Sequence, residues 1–234
     1  NYSKKLLSSL PELGADLIEI GIPFTDPMAD GKIIQASSLR ALKEGITLNK
    51  TLEMIYTFRK TNISTPIVLM GYYNPIYNFG VEKFLSSCKQ SGVDGLIIVD
   101  LPFEHDDELC IPAKKQDIDF IRLVAPTTTH KRIPLLLNQS SGFVYCISLS
   151  GITGSKNAEE KTVLSTLTRI NDSSNLPVAV GFGIKDPKQA SKISLLADAT
   201  VIGSVIIKKI EETFILEASN EKKLHQIINF IELF

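Results

Sequence analysis

The sequence predicts an α/β fold, specifically a (β/α)₈ TIM barrel whose first strand has no counterpart in this chain. Seven short apolar runs have the length of β-strands and are apolar nearly throughout, as expected for parallel strands that are covered on both faces. Amphipathic stretches alternate with these runs, and glycine-rich motifs follow only the last strands. A doubly wound open sheet, the alternative, usually has its glycine motif after the first strand, so the barrel is favoured.

The elements follow from local patterns. Residues 1–14 have the pattern of an amphipathic helix, so a helix is the first visible element. The predicted strands are residues 16–20, 66–70, 96–100, 120–124, 143–147, 178–180 and 199–202. Helical periodicity is clear in residues 47–60, 81–90 and 186–196. Gly14 in "LGAD" and Gly92 in "SGVDG" are typical of the glycine that ends a helix before the next strand.

The chain is predicted to form one barrel domain over residues 1–234, because no linker or low-complexity segment divides it. It begins with Asn1 rather than Met, and it begins inside a helix. A barrel that lacks one strand would have two unpaired strand edges. We therefore expect that the native protein has a further N-terminal segment.

Composition excludes several classes of protein. The net charge is -1 with scattered Lys and Arg, which disfavours binding to nucleic acid. No apolar run approaches the ~20 residues that span a bilayer, and no signal peptide is visible. The 3 cysteines and 3 histidines are dispersed along the chain, so neither a disulfide framework nor a metal site is expected. We expect a reduced compartment, either the cytoplasm or the plastid stroma.

Three glycine motifs follow the last strands and predict a phosphate site. They are "SLSGITGSKN" at 148–157, "VAVGFGI" at 178–184 and "TVIGSVIIKKI" at 200–210. Glycine lets backbone N–H groups approach a phosphate closely, and the start of a helix adds positive potential. Barrels commonly bind phosphate with the loops after their last two strands. Each motif alone is more often an ordinary turn, but the three together favour a phosphorylated ligand.

Two carboxylates in and after the first predicted strand indicate proton transfer at the other end of this ligand. Glu19 lies in an apolar strand and Asp30 in the following loop, where a barrel has its active site. An apolar environment raises the proton affinity of a carboxyl group, which suits general acid–base catalysis. Tyr145 could point into the same pocket or belong to the core. Asp100, at the end of a strand, could orient a loop or a substrate group, or cap the loop that follows.

Several segments, in the same order as in the family, resemble the tryptophan synthase alpha subunit. The most specific is "ADLIEIGIPFTDPMADG" around Glu19. The others are "MGYYNP", "VDGLIIVDLPFEH", "LVAPTT", "GFVYCISLSGITG", "VAVGFGI" and "VIGSVIIKKI", and together they cover nearly the whole chain. The resemblance implies a lyase of tryptophan biosynthesis, which cleaves indole-3-glycerol phosphate to indole and glyceraldehyde 3-phosphate by a retro-aldol reaction.

The resemblance also implies roles for individual residues and a partner. Catalytic roles fall on Glu19, Asp30 and Tyr145, binding of the substrate phosphate falls on Gly154, Gly183, Gly203 and Ser204, and the substrate pocket includes Phe182, Thr153 and Asp100. The family uses no cofactor in this subunit. Its partner is a beta subunit that carries pyridoxal phosphate, in an alpha2beta2 heterotetramer. The loop around Asp26 matches the segment that faces that partner.

Two other functions remain open at this point. A different phosphate-sugar barrel, such as an isomerase, would share the late glycines but not "EIGIPFTDPMADG". A non-catalytic alpha-type subunit would only activate a beta partner, and the presence of both Glu19 and Asp30 argues against it. Release of indole from indole-3-glycerol phosphate distinguishes these alternatives from the lyase.

Overall fold

The computed structural model describes residues 2–147, 156–181 and 183–234. Parallel strands alternate with helices along the chain. The strands are β1 (Ile18–Gly21), β2 (Ile67–Gly71), β3 (Gly95–Ile98), β4 (Asp119–Phe120), β5 (Arg122–Val124), β6 (Val144–Ile147), β7 (Val178–Gly181) and β8 (Ala199–Val201). They pair in the orders β1-β2-β3-β4 and β5-β6-β7-β8. The predicted α/β barrel architecture is confirmed.

The helices surround these strands. They are α1 (Tyr2–Ser9), α2 (Lys32–Lys43), α3 (Leu48–Arg59), α4 (Tyr73–Phe79), α5 (Val81–Ser91), α6 (Cys110–Lys114), α7 (Arg132–Leu137), α8 (Lys156–Asn171), α9 (Pro187–Ser194), α10 (Ser204–Ile215) and α11 (Asn220–Ile231). Side chains of Thr47, Asp186 and Ser219 cap the N-termini of α3, α9 and α11. Gly92 ends α5 in the left-handed conformation, with φ +82°, as its sequence pattern predicts.

All seven predicted strands are present, with ends that differ from the expected ones by one or two residues. The predicted strand 120–124 is divided into β4 and β5 by Ile121. The N–H group of Ile121 still donates a hydrogen bond of 2.9 Å to the carbonyl of Leu96 on β3. The two four-stranded sheets are therefore consecutive parts of one curved wall.

Side chains alternate between the interior of this wall and the helical layer. The interior cluster contains Val68, Ile97, Ile121 and Tyr145, with partly buried apolar neighbours. Larger clusters lie between the strands and the helices, and they include buried members such as Ile55 and Phe84. Burial on both faces explains why the strands are apolar nearly throughout.

Aspartates fix the starts of two strands. The carboxylate of Asp94 accepts a hydrogen bond of 2.7 Å from the N–H of Ile67, and its own N–H donates to the carbonyl of Ile67 at 2.9 Å. Asp198 makes the same pair of bonds with Val178, at 2.8 and 3.0 Å. In each case one residue satisfies both backbone groups at the start of the neighbouring strand.

Beside the two terminal strands, β1 and β8, helices α2 and α10 contact each other. Among the described residues, β1 pairs only with β2 and β8 only with β7. The helices beside them meet, since Arg40 on α2 forms an ion pair of 2.7 Å with Glu211 on α10. No helix in the described ranges is both long enough and apolar enough to span a membrane.

Candidate active site

Glu19 lies within β1, and its side chain faces the interior of the barrel. Its neighbours Ile18 and Ile20 are buried in the cluster that packs against the helices. Because successive side chains of a strand point to opposite faces, Glu19 points inward. Across the pairing of β1 with β2, it lies opposite Val68, a member of the interior cluster.

The carboxyl group of Glu19 is partly desolvated. Protein atoms enclose it, and this desolvation, together with the nearby charge of Asp30, raises its pKa from 4.5 to about 7. The residue as a whole remains accessible to water from the interior of the barrel. A carboxyl group in such a setting can both give and take a proton near neutral pH.

The loop that carries Asp30 is fixed by three hydrogen-bonding side chains. The hydroxyl group of Ser38 bonds both backbone groups of Phe24, at 2.8 and 2.9 Å. The side-chain amide of Gln35 donates to the carbonyl of Asp30 at 2.8 Å. The third is Tyr72, which follows β2 and whose hydroxyl oxygen accepts a hydrogen bond from a backbone N–H of the loop.

Tyr72 immediately follows β2 and contacts this loop with both its ring and its hydroxyl group. The ring is 3% exposed, and its centroid lies 5.5 Å from that of Phe24. The hydroxyl oxygen accepts a hydrogen bond of 3.0 Å from the N–H of Ala29. Desolvation raises the pKa of Asp30, whereas the interaction with the Tyr72 hydroxyl lowers it. Burial is the main reason that the pKa of Tyr72 is raised to about 12.

Tyr145 on β6 belongs to the interior cluster. Its side chain therefore points inward, which is one of the two placements that the sequence left open. It is buried, and burial followed by the charge of Glu19 raises the pKa of its hydroxyl group. Gly181 at the end of β7 makes room for its ring. A Cβ atom at position 181 would lie 2.9 Å from both Tyr145 Cζ and Val201 Cβ, which is closer than stable contacts allow.

Two of the predicted phosphate-binding glycines follow the ends of the neighbouring strands β7 and β8. Gly181 and Val201 are paired in the sheet, and Gly183 and Gly203 are each two residues further along. Gly183 has φ +79°, which favours glycine. Gly203 is the N-cap of α10, which begins at Ser204, and space is open where its Cβ would be. The N–H groups of Ser204 and Val205, which start α10, have no partner within the helix and suit an anion, whereas that of Ile206 donates to the carbonyl of Gly203.

Three of the predicted site residues cannot be compared with the structure. Gly154, Thr153 and Phe182 lie outside the described residues. In the described ranges no group of three or more metal-binding side chains could hold a metal ion.

Asp100 lies shortly after β3, and its carboxylate binds a backbone group. Its carboxylate accepts a hydrogen bond of 2.7 Å from the N–H of Tyr73, at the start of α4. The loop after Asp100 is attached to β5, because Arg122 donates a bond of 2.7 Å to the carbonyl of Leu101 and also pairs with Asp106. Both members of this ion pair are buried.

Sequence reasoning did not single out Tyr72, Gln35 or Ser38. The motif "MGYYNP" gives no signal that distinguishes Tyr72 from Tyr73, since either ring could belong to the core. A tyrosine directly after a strand end, where a barrel has its active site, was the one available indication.

The fold and the site together define a class of protein. An inward-facing carboxylate on the first strand and a glycine at the start of the helix after the last strand are typical of β/α-barrel enzymes that act on small phosphorylated molecules. The sequence profile of the family described as tryptophan synthase alpha chain matches residues 1–233. The chain belongs to this family, a lyase component of tryptophan biosynthesis.

Solved structures agree with this assignment. The alpha subunit from Pyrococcus furiosus, solved as a mutant, is 39% identical with a TM-score of 0.86, over 99% of this chain and 91% of that one. A chain of the P. furiosus a2b2 complex, described in terms of mutual activation, is 38% identical with a TM-score of 0.86, over 100% and 92%. The alpha subunit from Legionella pneumophila is 34% identical with a TM-score of 0.86, over 99% and 87%.

Proposed function

We propose that Glu19 and Asp30 of this chain carry out the family reaction, the retro-aldol cleavage of indole-3-glycerol phosphate. The observation that supports these roles is the inward-facing Glu19 with its pKa raised to about 7 beside a second carboxylate. The glycines at the ends of β7 and β8 suit the phosphate of the same substrate.

The chemistry requires a proton donor and an anion at the indole end. The bond between indole C3 and the glycerol chain breaks once C3 is protonated, because the cationic ring then accepts the electron pair of that bond. Glu19 in its protonated form delivers this proton. The ring N–H donates to Asp30, whose negative charge stabilises the positive charge that develops on the ring.

Glu19 then completes the reaction as a base. After it has protonated C3, it is a carboxylate and removes the proton from the hydroxyl group of the glycerol chain as the aldehyde forms. The C3–carbon bond breaks, its electrons return to the ring, and Glu19 is protonated again. A pKa near 7 serves both steps because neither protonation state is strongly disfavoured.

Remote binding of the phosphate orients the reacting bond. Gly183, Gly203 and Ser204, with Gly154 from the preceding loop, would hold the phosphate through backbone N–H groups. Binding energy from this non-reacting group then holds C3 near Glu19. Tyr145, whose ring lies in the interior cluster, would pack against the indole, and Phe182, Thr153 and Asp100 complete the proposed pocket.

We further propose that the chain assembles with a beta subunit that carries pyridoxal phosphate, in an alpha2beta2 complex. A chain of the P. furiosus a2b2 complex is 38% identical over the whole of this chain. In the present structure Asp26 and Met28 are exposed at the tip of the loop that carries Asp30, and Met28 is 79% exposed, so a partner could contact this loop directly. The cytoplasm or the plastid stroma is the compartment that we propose.

Glu19→Gln tests the catalytic assignment. Glutamine has nearly the same shape but cannot transfer the proton, so we expect indole release to fall about 10²- to 10⁴-fold. Binding of a non-cleavable phosphate analogue and of the beta subunit should remain nearly intact. Cleavage at the parental rate would remove Glu19 from the mechanism. If the parent protein releases no indole with or without the beta subunit, the non-catalytic alternative is favoured.

A further inference from the structure

We propose that Arg40 and Glu211 are positioning residues: their ion pair joins α10, whose start is the proposed phosphate site, to α2, which holds the loop of Asp30. This inference rests on the proposed function, because both ends of the link belong to the site that this function requires. It deepens that function by naming the route through which a bound phosphate fixes the carboxylate at the other end of the substrate.

One side of α2 holds the loop that carries Asp30. Gln35 donates a hydrogen bond of 2.8 Å to the carbonyl of Asp30, and Ser38 Oγ bonds both backbone groups of Phe24, at 2.8 and 2.9 Å. Their i, i+3 spacing puts Gln35 and Ser38 on one face of the helix. A displacement of α2 therefore displaces both points at which it fixes the loop.

The opposite side of α2 contacts α10. Arg40 follows Ser38 by about half a helical turn, so it projects away from the loop. Its Nη1 atom lies 2.7 Å from Oε1 of Glu211. Glu211 is about two turns beyond Ser204, on the same face of α10, which is roughly 10 Å along the helix axis. The ion pair therefore lies on the helix face that carries the first residue of the proposed phosphate site.

Few buried side chains fix these two helices in place. Among the described residues, α2 has no buried side chain and α10 has only that of Thr213. By contrast, α3 and α5 each bury four side chains. The position of α2 relative to α10 thus depends strongly on the contacts between them, and the bond between Arg40 and Glu211 is the ion pair at this contact.

The effect of the link is modest, because the side chains of Arg40 and Glu211 are 43% and 38% exposed and water screens their charges. Ion pairs of this kind change an equilibrium by about 1.5- to 5-fold. A phosphate at the start of α10 fixes that helix, and the ion pair extends this effect to α2 and the loop. Since coupling between two sites is reciprocal, a correctly placed loop strengthens phosphate binding by the same factor.

The residue next to Glu211 offers a matched control. Glu212 pairs with Lys208 within α10 at 3.6 Å, and both of these side chains are more than half exposed. Glu212→Gln removes one negative charge from the same turn of the helix as Glu211→Gln does. It leaves the link to α2 in place, so the two variants separate the link from a general effect of charge.

The experiment measures backbone hydrogen exchange of the full chain with and without saturating inorganic phosphate. The N–H of Phe24 reports the contact between the loop and α2, because it donates to Ser38. In the parent protein we expect phosphate to slow exchange at the start of α10 and, by about 1.5- to 5-fold, at Phe24. Glu211→Gln should retain the slowing at α10 and lose it at Phe24, whereas Glu212→Gln should retain both.

Reversal of the two charges tests the link itself. Glu211→Gln should lower kcat for indole release by about two- to fivefold, because the loop of Asp30 is held less firmly, and KM should change by no more than this factor. The double variant Arg40→Glu with Glu211→Arg forms the pair in the opposite sense. We expect it to recover both kcat and the slowing at Phe24, which a purely local effect at either residue would not produce.

The outcomes separate this inference from the proposed function. Slowing at Phe24 that persists in Glu211→Gln, or that is lost equally in Glu212→Gln, overturns the link. The link is also overturned if phosphate slows exchange at α10 but not at Phe24 in the parent protein. If phosphate slows exchange at neither place, the proposed phosphate site is wrong and the link falls with it. A parent protein that shows both effects but releases no indole refutes the catalytic proposal alone.

Discussion

Replacing Glu19 with glutamine should stabilise the folded protein in alkaline solution, although it removes the proposed proton donor. The pKa of Glu19 rises from 4.5 to about 7 on folding, mainly by desolvation. The folded state therefore binds the proton more tightly than the unfolded chain. Folding is not penalised below pH 4.5, where both states are protonated, and the penalty grows with pH until it is complete above about pH 7.

The size of this effect follows from the shift. The difference between 4.5 and about 7 corresponds to about 3 kcal/mol as an upper limit. Although Glu19 faces the interior of the barrel, water reaches the residue and screens its charge. We therefore expect about half of this limit, roughly 1–2 kcal/mol, which is a rise in Tm of roughly 2–8 °C for a chain of this size.

Urea unfolding of the parent and Glu19→Gln at about pH 4.5 and about pH 8.5 measures the difference. The mutant should be more stable by roughly 1–2 kcal/mol at the higher pH and nearly equal at the lower one. Glu12→Gln, a change at an exposed carboxylate before β1, is the control and should show no such dependence. A mutant that gains no stability between the two pH values would refute the reasoning.

Two more substitutions test packing near the site. Gly181→Ala brings a Cβ atom within 2.9 Å of Tyr145 Cζ and Val201 Cβ, so we expect a loss of about 1–3 kcal/mol in urea unfolding and a marked loss of indole release; full activity would show that the Tyr145 ring can move at little cost. Arg122→Met leaves Asp106 buried without its cation, so we expect a loss of about 3–5 kcal/mol in the same assay, whereas Arg122→Met with Asp106→Leu should recover much of it; equal losses in both proteins would contradict the role of the ion pair.

Much of the fold could be predicted because the strands are covered on both faces. A run such as 66–70 is apolar throughout, and its short length favours a buried strand over a helix. The division at Ile121 could not be predicted, because it depends on hydrogen bonds to β3 and β6 rather than on the local sequence. Arg122 looks like an exposed charge within a strand, yet it is buried through its pairing with Asp106.

The candidate site was predictable to a smaller degree. The sequence indicated Glu19 and Asp30 because carboxylates near a strand end are unusual in an otherwise apolar setting. The contact of Tyr72 with their loop joins residues that are 43 positions apart, and only the folded chain brings them together. The space that Gly181 leaves for Tyr145 is likewise visible only in the folded chain, because in the sequence a glycine at the end of a strand indicates a turn.

The paired bonds that Asp94 and Asp198 make to the first residues of β2 and β7 have a consequence at the opposite end of the barrel. A shift of one residue along a strand would turn every inward side chain outward, and these bonds would be lost with it. Alignment between neighbouring strands is thus secured far from the loops that carry the proposed site. The loops at the carboxyl ends can consequently diverge in sequence while the positions from which their side chains project stay constant.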